Sequence, residues 1–355
     1  MKYLAWSSLL SALLSTLMAA AASAAAPSGT LLVLNKSDDT VSFIDLATNA
    51  VNATLPTGDG PHEVAVSEDG KTAVIANYGD SANPGKTLSV VDVPGKKVLR
   101  TIDLGTYSRP HGIVWLHGDE VAVTVEASKA LLIVGVNEGK VKHAIPTDQV
   151  GSHMVAVSPK HRRAFTANIG SGSTTVIDLS THKRITDVVT GRGAEGIAVA
   201  PDGSEVWVTN RDANTVSIVD PATLKITATL QPGEIPIRVK FTPDGTRALI
   251  SNAKSGDVAV FDTVTKKKIT SIPMQKDGEK LAGNEARPLV SQFGDGPVPV
   301  GILMPEPLSL AFVANTNADT ITVIDLDSFK IVNRLKAGRE PDGLGYTRIE
   351  VTSDL

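Results

Sequence analysis

Cysteine is absent from this 355-residue chain. Its absence excludes disulfides, thiolate zinc sites, covalent c-type haem and a lipid attached through an N-terminal cysteine. Charge of one sign is also scarce: 34 Lys and Arg stand against 38 Asp and Glu, for a net charge of -4. No electrostatic case for nucleic acid follows from that balance. Long hydrophobic runs are missing as well, apart from Leu4 to Ala22 at the start. No other segment is apolar enough to cross a bilayer.

The exception has the layout of a secretory signal peptide: Met1-Lys2, the apolar stretch, then the small-residue cleavage pattern Ala22-Ser23-Ala24. Four serines and a threonine dilute it, which argues against the alternative of a permanent anchor. Residues 1-24 are therefore expected to be removed, leaving a periplasmic or secreted protein without a membrane span. Residues 25-355 are expected to form one domain, and a monomer.

What the chain has is a repeat. Forty-two residues separate Asn35 from Asn77, Glu126 from Asn168, Asn168 from Asn210 and Asn210 from Asn252. Asn77 to Glu126 is longer by seven residues, and Asn252 to Asn315 by twenty-one. Self-similarity at such a period means a propeller or an array. In the cleanest copy, Gly193 to Leu230, four runs of β-branched and apolar residues are separated by turn-formers such as Pro201-Asp202-Gly203. Four short antiparallel strands make a propeller blade.

Inner strands are expected near His62, His111, His153, Glu195, Ile237, Val300 and Asp342, giving seven blades. The copy holding Asp342 has only its first strand at the C-terminus, and Thr30 to Leu55 supplies the other three. Pairing of the two chain ends thus closes the ring. Asp45, Asp178, Asp220, Asp262 and Asp325 recur after the third strand, each followed three residues later by Thr or Ser, and read as turn fixtures rather than catalysts.

The segments Ala73-Val-Ile-Ala-Asn77, Val206-Trp-Val-Thr-Asn210, Thr215-Val-Ser-Ile-Val-Asp220, Leu310-Ala-Phe-Val-Ala-Asn315 and Thr320-Ile-Thr-Val-Ile-Asp325 resemble the YVTN-repeat β-propellers of secreted and periplasmic proteins. The resemblance spans the mature chain and implies an all-β, seven-bladed fold of four-stranded antiparallel blades. It implies little about activity, because such propellers serve as binding platforms, scaffolds and occasionally enzymes. Three tryptophans in the whole chain supply neither Trp-Asp repeats nor the tryptophan docking motif of quinone-cofactor (PQQ) propellers.

The start of each first strand and the end of each second strand fall at one mouth of the channel. Six of the second-strand ends are asparagines, expected to satisfy backbone groups, whereas Glu126 is read as the carboxylate that breaks the ring. The inner positions read Asp342, His62, His111, His153, Glu195, Ile237, Val300, so five ionisable residues are contiguous. His62, His111, His153 and Glu195 have the side-chain types of a Zn, Mn, Fe, Ni or Cu site. Arg109, Arg192, Arg339 and Asp342 stand beside them as candidates for an anionic or other small ligand. His111 and Glu126 are the candidate catalytic pair. His117, His143, His161 and His182 fall in turns or outer strands and are expected to be exposed.

An inserted loop at about 274-297, and the extra residues of Tyr78 to Lys86, are expected to overhang this mouth. The primary expectation is a binding protein holding a metal ion, a small ligand or a periplasmic protein partner. A metal-dependent lyase or hydrolase at the same place is the alternative, and a pure interaction scaffold the second. Streptogramin lyases are similar in having seven blades, a metal and a base histidine at such a location, but Arg109 stands where a ligating glutamate would strengthen that match.

Overall fold

The structure is a computed structural model describing residues 27-275 and 293-352. The expected signal peptide and most of the 274-297 insertion lie outside the described residues. Among the described residues, twenty-eight strands form seven four-stranded antiparallel sheets. The inner strands are β4 (Pro61–Val66), β8 (Pro110–Trp115), β12 (Ser152–Ser158), β16 (Ala194–Val199), β20 (Pro236–Phe241), β24 (Pro299–Leu303) and β28 (Pro341–Thr347). The last of these pairs with β1 (Thr30–Asn35), so the chain ends close the ring as expected. No exposed strand edge is left between first and last blades. Among the described residues no helix is long and apolar enough to cross a membrane.

Second and third strands of each blade are buried on both faces because neighbouring blades cover them. That is why runs such as Leu131-Leu132-Ile133-Val134 read as continuous hydrophobes rather than alternating ones. The hydrophobic clusters lie between blades, as where Val74 and Leu88 of one pack with Val121 and Leu132 of the next. Outer strands, such as β11 (Lys140–Pro146), are mostly exposed.

The aspartates after the third strand cap turns, as read. Asp178 Oδ1 accepts from the Ser180 and Thr181 amides at 2.7 and 3.0 Å, and Asp220 Oδ1 from Ala222 and Thr223 at 2.7 and 3.1 Å. The asparagines are also structural, but their amides mainly reach hydroxyls of the third strand. Asn77 Nδ2 donates to Thr87 and Ser89, Asn168 to Ser173 and Thr175, and Asn210 to Thr215 and Ser217, all at 3.0 to 3.2 Å.

Blade 3 corrects one reading. Pro61 pairs with Asn77 and Ser152 with Asn168, but Pro110 pairs with Val125. Val125 therefore occupies the asparagine position and pairs with Ala130; the third strand carries Ala130 and Leu132 where most other blades carry hydroxyls and the blade of Asn252 carries Asp257. Glu126 lies one residue beyond. The cause is a tighter turn between the first two strands: Leu116 bonds back to Glu120, where Ser67 bonds to Thr72. A single deleted residue moved the carboxylate into register with the asparagines in sequence only.

Candidate functional site

Seven equivalent backbone bonds define the mouth. The amides of Lys36, Tyr78, Glu126, Ile169, Arg211, Ala253 and Thr316 donate to the carbonyls of Glu340, Gly60, Arg109, Gly151, Gly193, Ile235 and Val298. The carbonyl residues all hold positive φ, between 53° and 73°. Each bond brings the residue just past a second strand over the start of the same blade's inner strand. Two stacked rings of side chains result: Asp342, His62, His111, His153, Glu195, Ile237 and Val300 below, and the seven amide donors above.

In the polar half these rings meet in pairs. Lys36 Nζ stands 4.0 Å from Asp342, and Arg211 Nη1 3.0 Å from Glu195. His153 Nδ1 lies 3.3 Å from Glu126 and its Nε2 3.6 Å from Glu195. Tyr78 packs its ring at 4.5 Å on His62 and 5.4 Å on His111, with the Arg109 guanidinium over that ring at 4.9 Å from its centroid. The imidazoles also pack on one another, His62 with His111 at 4.9 Å and His111 with His153 at 3.6 Å between ring centroids. The opposite half is apolar: Ile237, Ala253, Val298 and Val300 surround Phe293, which belongs to the inserted segment.

The three imidazoles have three electrostatic states. Burial, then the Lys36 charge, lowers His62 to about 4. His111, 3% exposed, is pushed well below the ordinary imidazole range by burial and by His153 and His62 beside it. Burial also opposes charge on His153, yet its contacts with Glu126 and Glu195 outweigh that and raise it. The two carboxylates are lowered despite their own burial, through His153 first. Burial and the Glu126 carboxylate push the Tyr78 phenol up to about 12.

His62 has a defined tautomer. Its Nδ1 lies 2.7 Å from the Gly60 carbonyl, which can only accept, so Nδ1 carries the proton and Nε2 keeps the lone pair. His111 Nδ1 is buried with no hydrogen-bond partner among the described residues. A cavity of about 510 Å³ lies against this side, lined by Lys36, His62, Tyr78, Arg109 and Glu340. The extended hairpin of blade 2 forms part of its wall, and the Asp80 carbonyl accepts from Arg109 at 3.0 Å.

Most of the expected site residues thus converge, and two do not. Arg192 is exposed and donates to the Asp212 carbonyl at 3.3 Å. Arg339 is exposed and held by Asp38 at 2.6 Å. Among the described residues no three His, Asp or Glu side chains are arranged to hold a metal ion by themselves. Stacking directs the His111 and His153 rings past each other, and both nitrogens of His153 face carboxylates.

Sequence reading missed Tyr78, Arg238 and Glu63. Arg238, 4% exposed, reaches across the channel to Glu63 at 2.8 Å and stands 3.7 Å from Glu195. The signal was present one residue beyond the inner positions, where other blades carry Gly112, Met154, Gly196, Gly301 and Gly343. Glycine is needed there because the next inner strand passes close: a Cβ on Gly343 would lie 2.3 Å from the His62 carbonyl. Glu63 and Arg238 depart from that pattern with opposite charges.

The Cytochrome D1 heme domain family model matches residues 105–283, just over half of the chain. The chain belongs to this family. A second family model, YNCE-like beta-propeller, matches residues 19–120, consistent with the YVTN-type repeats and the seven blades. Among solved structures, a hydrazine synthase chain of Kuenenia stuttgartiensis is 18% identical, with a TM-score of 0.67, over 84% of this chain and 92% of that one. A functionally unknown protein from Desulfotomaculum acetoxidans is 14% identical, with a TM-score of 0.71, over 92% of this family member and all of its own chain. These likenesses are of fold alone. No curated protein matches the chain.

Proposed function

We propose that this propeller is a binding module for a metal-containing cofactor, and that an iron tetrapyrrole suits the mouth better than a bare divalent ion. The observation carrying this reading is His62, whose Nδ1 is tied to the Gly60 carbonyl so that Nε2 keeps a lone pair at the edge of a cavity. Metal-bound histidines are typically oriented by such a second hydrogen bond. A bare ion needs three or four converging protein ligands, which these side chains do not offer as they stand. A tetrapyrrole brings four nitrogens of its own and asks the protein for an axial ligand.

The family name points the same way, and the residues present fit the group. His62 would supply a nitrogen to the iron, while Lys36 and Arg109, which line the same cavity, would pair with carboxylates of the group. The unpartnered His111 Nδ1 offers a further polar contact. Such a group would supply redox or ligand-binding chemistry at its iron. Tyr78 and Glu126 hold the imidazoles in place from above, and Phe293 with Ile237 excludes water from the opposite half.

Adding iron protoporphyrin IX to the purified mature protein, with Zn, Mn, Fe, Ni and Cu salts in parallel, tests this. The expected result is a histidine-ligated absorbance spectrum and a raised melting temperature, both lost in His62→Ala and kept in His143→Ala. An unchanged spectrum and melting temperature would overturn the tetrapyrrole reading. A shift with one divalent salt alone would favour the bare-metal site, and with it the lyase or hydrolase alternative.

A further inference from the structure

The channel has a second chamber, on the far side of the Arg238–Glu63 pair from the histidines. Its volume is about 610 Å³, and inner strands of all seven blades line it. Apolar side chains, among them Trp115, Met154, Phe241 and Met304, share its wall with Glu63, Arg238, Lys240, Thr242 and Glu306. Lys240 departs from the pattern of its own position. At its place in the other inner strands stand Ala65, Val114, Ala156, Ala198, Leu303 and Gly345, each paired with the residue three before the end of its second strand. The scaffold therefore needs a small or apolar side chain there, and a lysine needs another reason.

The Lys240 ammonium also lacks a partner. Among the described residues it makes no ion pair or hydrogen bond, because the nearby Glu63 carboxylate is held by Arg238 at 2.8 and 3.2 Å. Its side chain is exposed to the open channel, yet the protein mass around it, and the Arg238 charge, disfavour its own charge and lower it from the ordinary lysine value. An anion entering from the open end would relieve that cost, and its apolar body would cover the methionines and rings. The Arg238–Glu63 pair bars the way to the histidines, so the chamber ends blind.

We propose that this chamber is a second binding site, separate from the histidine mouth, for a monoanionic amphipathic small molecule such as a medium-chain carboxylate. Lys240 holds the carboxylate, and Trp115, Met154, Phe241 and Met304 hold the apolar chain. The site is independent of whatever occupies the other mouth.

Octanoate is a suitable probe, with 1-octanol as its uncharged counterpart. Trp115 is half-buried in the chamber wall while Trp207 is fully buried elsewhere. Octanoate is expected to give a saturable change in tryptophan emission, abolished by Trp115→Phe, and calorimetric binding of matching affinity. Lys240→Met and Lys240→Gln should each weaken octanoate at least tenfold, Lys240→Arg should retain it within a few-fold, and His62→Ala should leave it unchanged. Octanol should bind wild type at least tenfold more weakly. The absence of saturable binding, or equal octanoate affinity in wild type and both neutral Lys240 variants, would overturn the proposal.

Discussion

Arg238 shows what one buried charge does in the middle of a propeller. Its guanidinium is held between Glu63 and Glu195, and those carboxylates keep it firmly protonated even though burial works against charge. Removing one partner of such a pair leaves the others uncompensated. Arg238→Ala should therefore cost about 3–5 kcal/mol of unfolding free energy in a urea titration, whereas Arg238→Met combined with Glu63→Leu should recover much of it. The histidines set the pH response of the cofactor-free protein. His62, at about 4, and His111, well below its ordinary value, are both lower than in the unfolded chain, at roughly 6.5. As pH falls from about 6.5 towards 4, the unfolded chain binds protons that these folded imidazoles refuse, and stability falls. His153 is raised, so its contribution has the opposite sign: full below about pH 6.5 and lost as pH rises through its folded value. Wild type should lose stability between about pH 7 and pH 5, and His111→Gln, which does not titrate, should lose less. Equal losses in the two proteins would refute the assignment of a neutral His111.

At the scale of the strand, the asparagine ladder separates scaffold from site. An asparagine at the end of a second strand is useful because acceptor side chains of the third strand stand opposite it, as the hydroxyls of Thr215 and Ser217 do for Asn210 and the Asp257 carboxylate for Asn252. Blade 3 has Ala130 and Leu132 there, so Val125 fits and an amide would not. Val125→Asn should destabilise by about 1–3 kcal/mol through an unsatisfied buried amide. Asp220→Ala, which removes only a turn cap, should cost about 1 kcal/mol and leave cofactor binding unaltered. Thermal and urea unfolding of both variants, with the haem titration repeated on each, checks the contrast. The missing hydroxyls were visible in the sequence beside the forty-two-residue spacing that suggested Glu126. Spacing counts residues along the chain and does not notice a shortened turn; pairing partners do. The extension of blade 2 behaves similarly. Asn77 pairs with Thr87, ten positions on, whereas Asn168 pairs with Ser173, so extra residues lengthen an ordered hairpin beside the mouth.

For the whole molecule, closure of the ring is the decisive cooperative feature. The C-terminal strand fills the inner place of the blade whose other strands come from the N-terminus, and Thr30 Oγ1 donates to the Ile349 carbonyl at 2.7 Å to fasten the tail. Deleting residues from Pro341 onward would leave the backbone of Leu31 to Asn35 unpaired on a buried, apolar strand. That truncation should elute in gel filtration as aggregate or as a larger oligomer than the chain that keeps its C-terminal strand. The blade count, the strand order, the end-to-end closure and the polar half of the mouth follow from the sequence alone, because each blade repeats the same local pattern and pseudo-symmetry places equivalent positions at equivalent heights. Which groups touch across the channel does not follow. Arg238 and Glu63 are 175 residues apart, Tyr78 reaches His111 from a neighbouring blade, and Arg192 and Arg339 turn away to partners beside them. Local propensity and repeat spacing act within a blade. Contacts between side chains of different blades depend on ring radius, strand register and rotamer, and these exist only once all seven blades have closed.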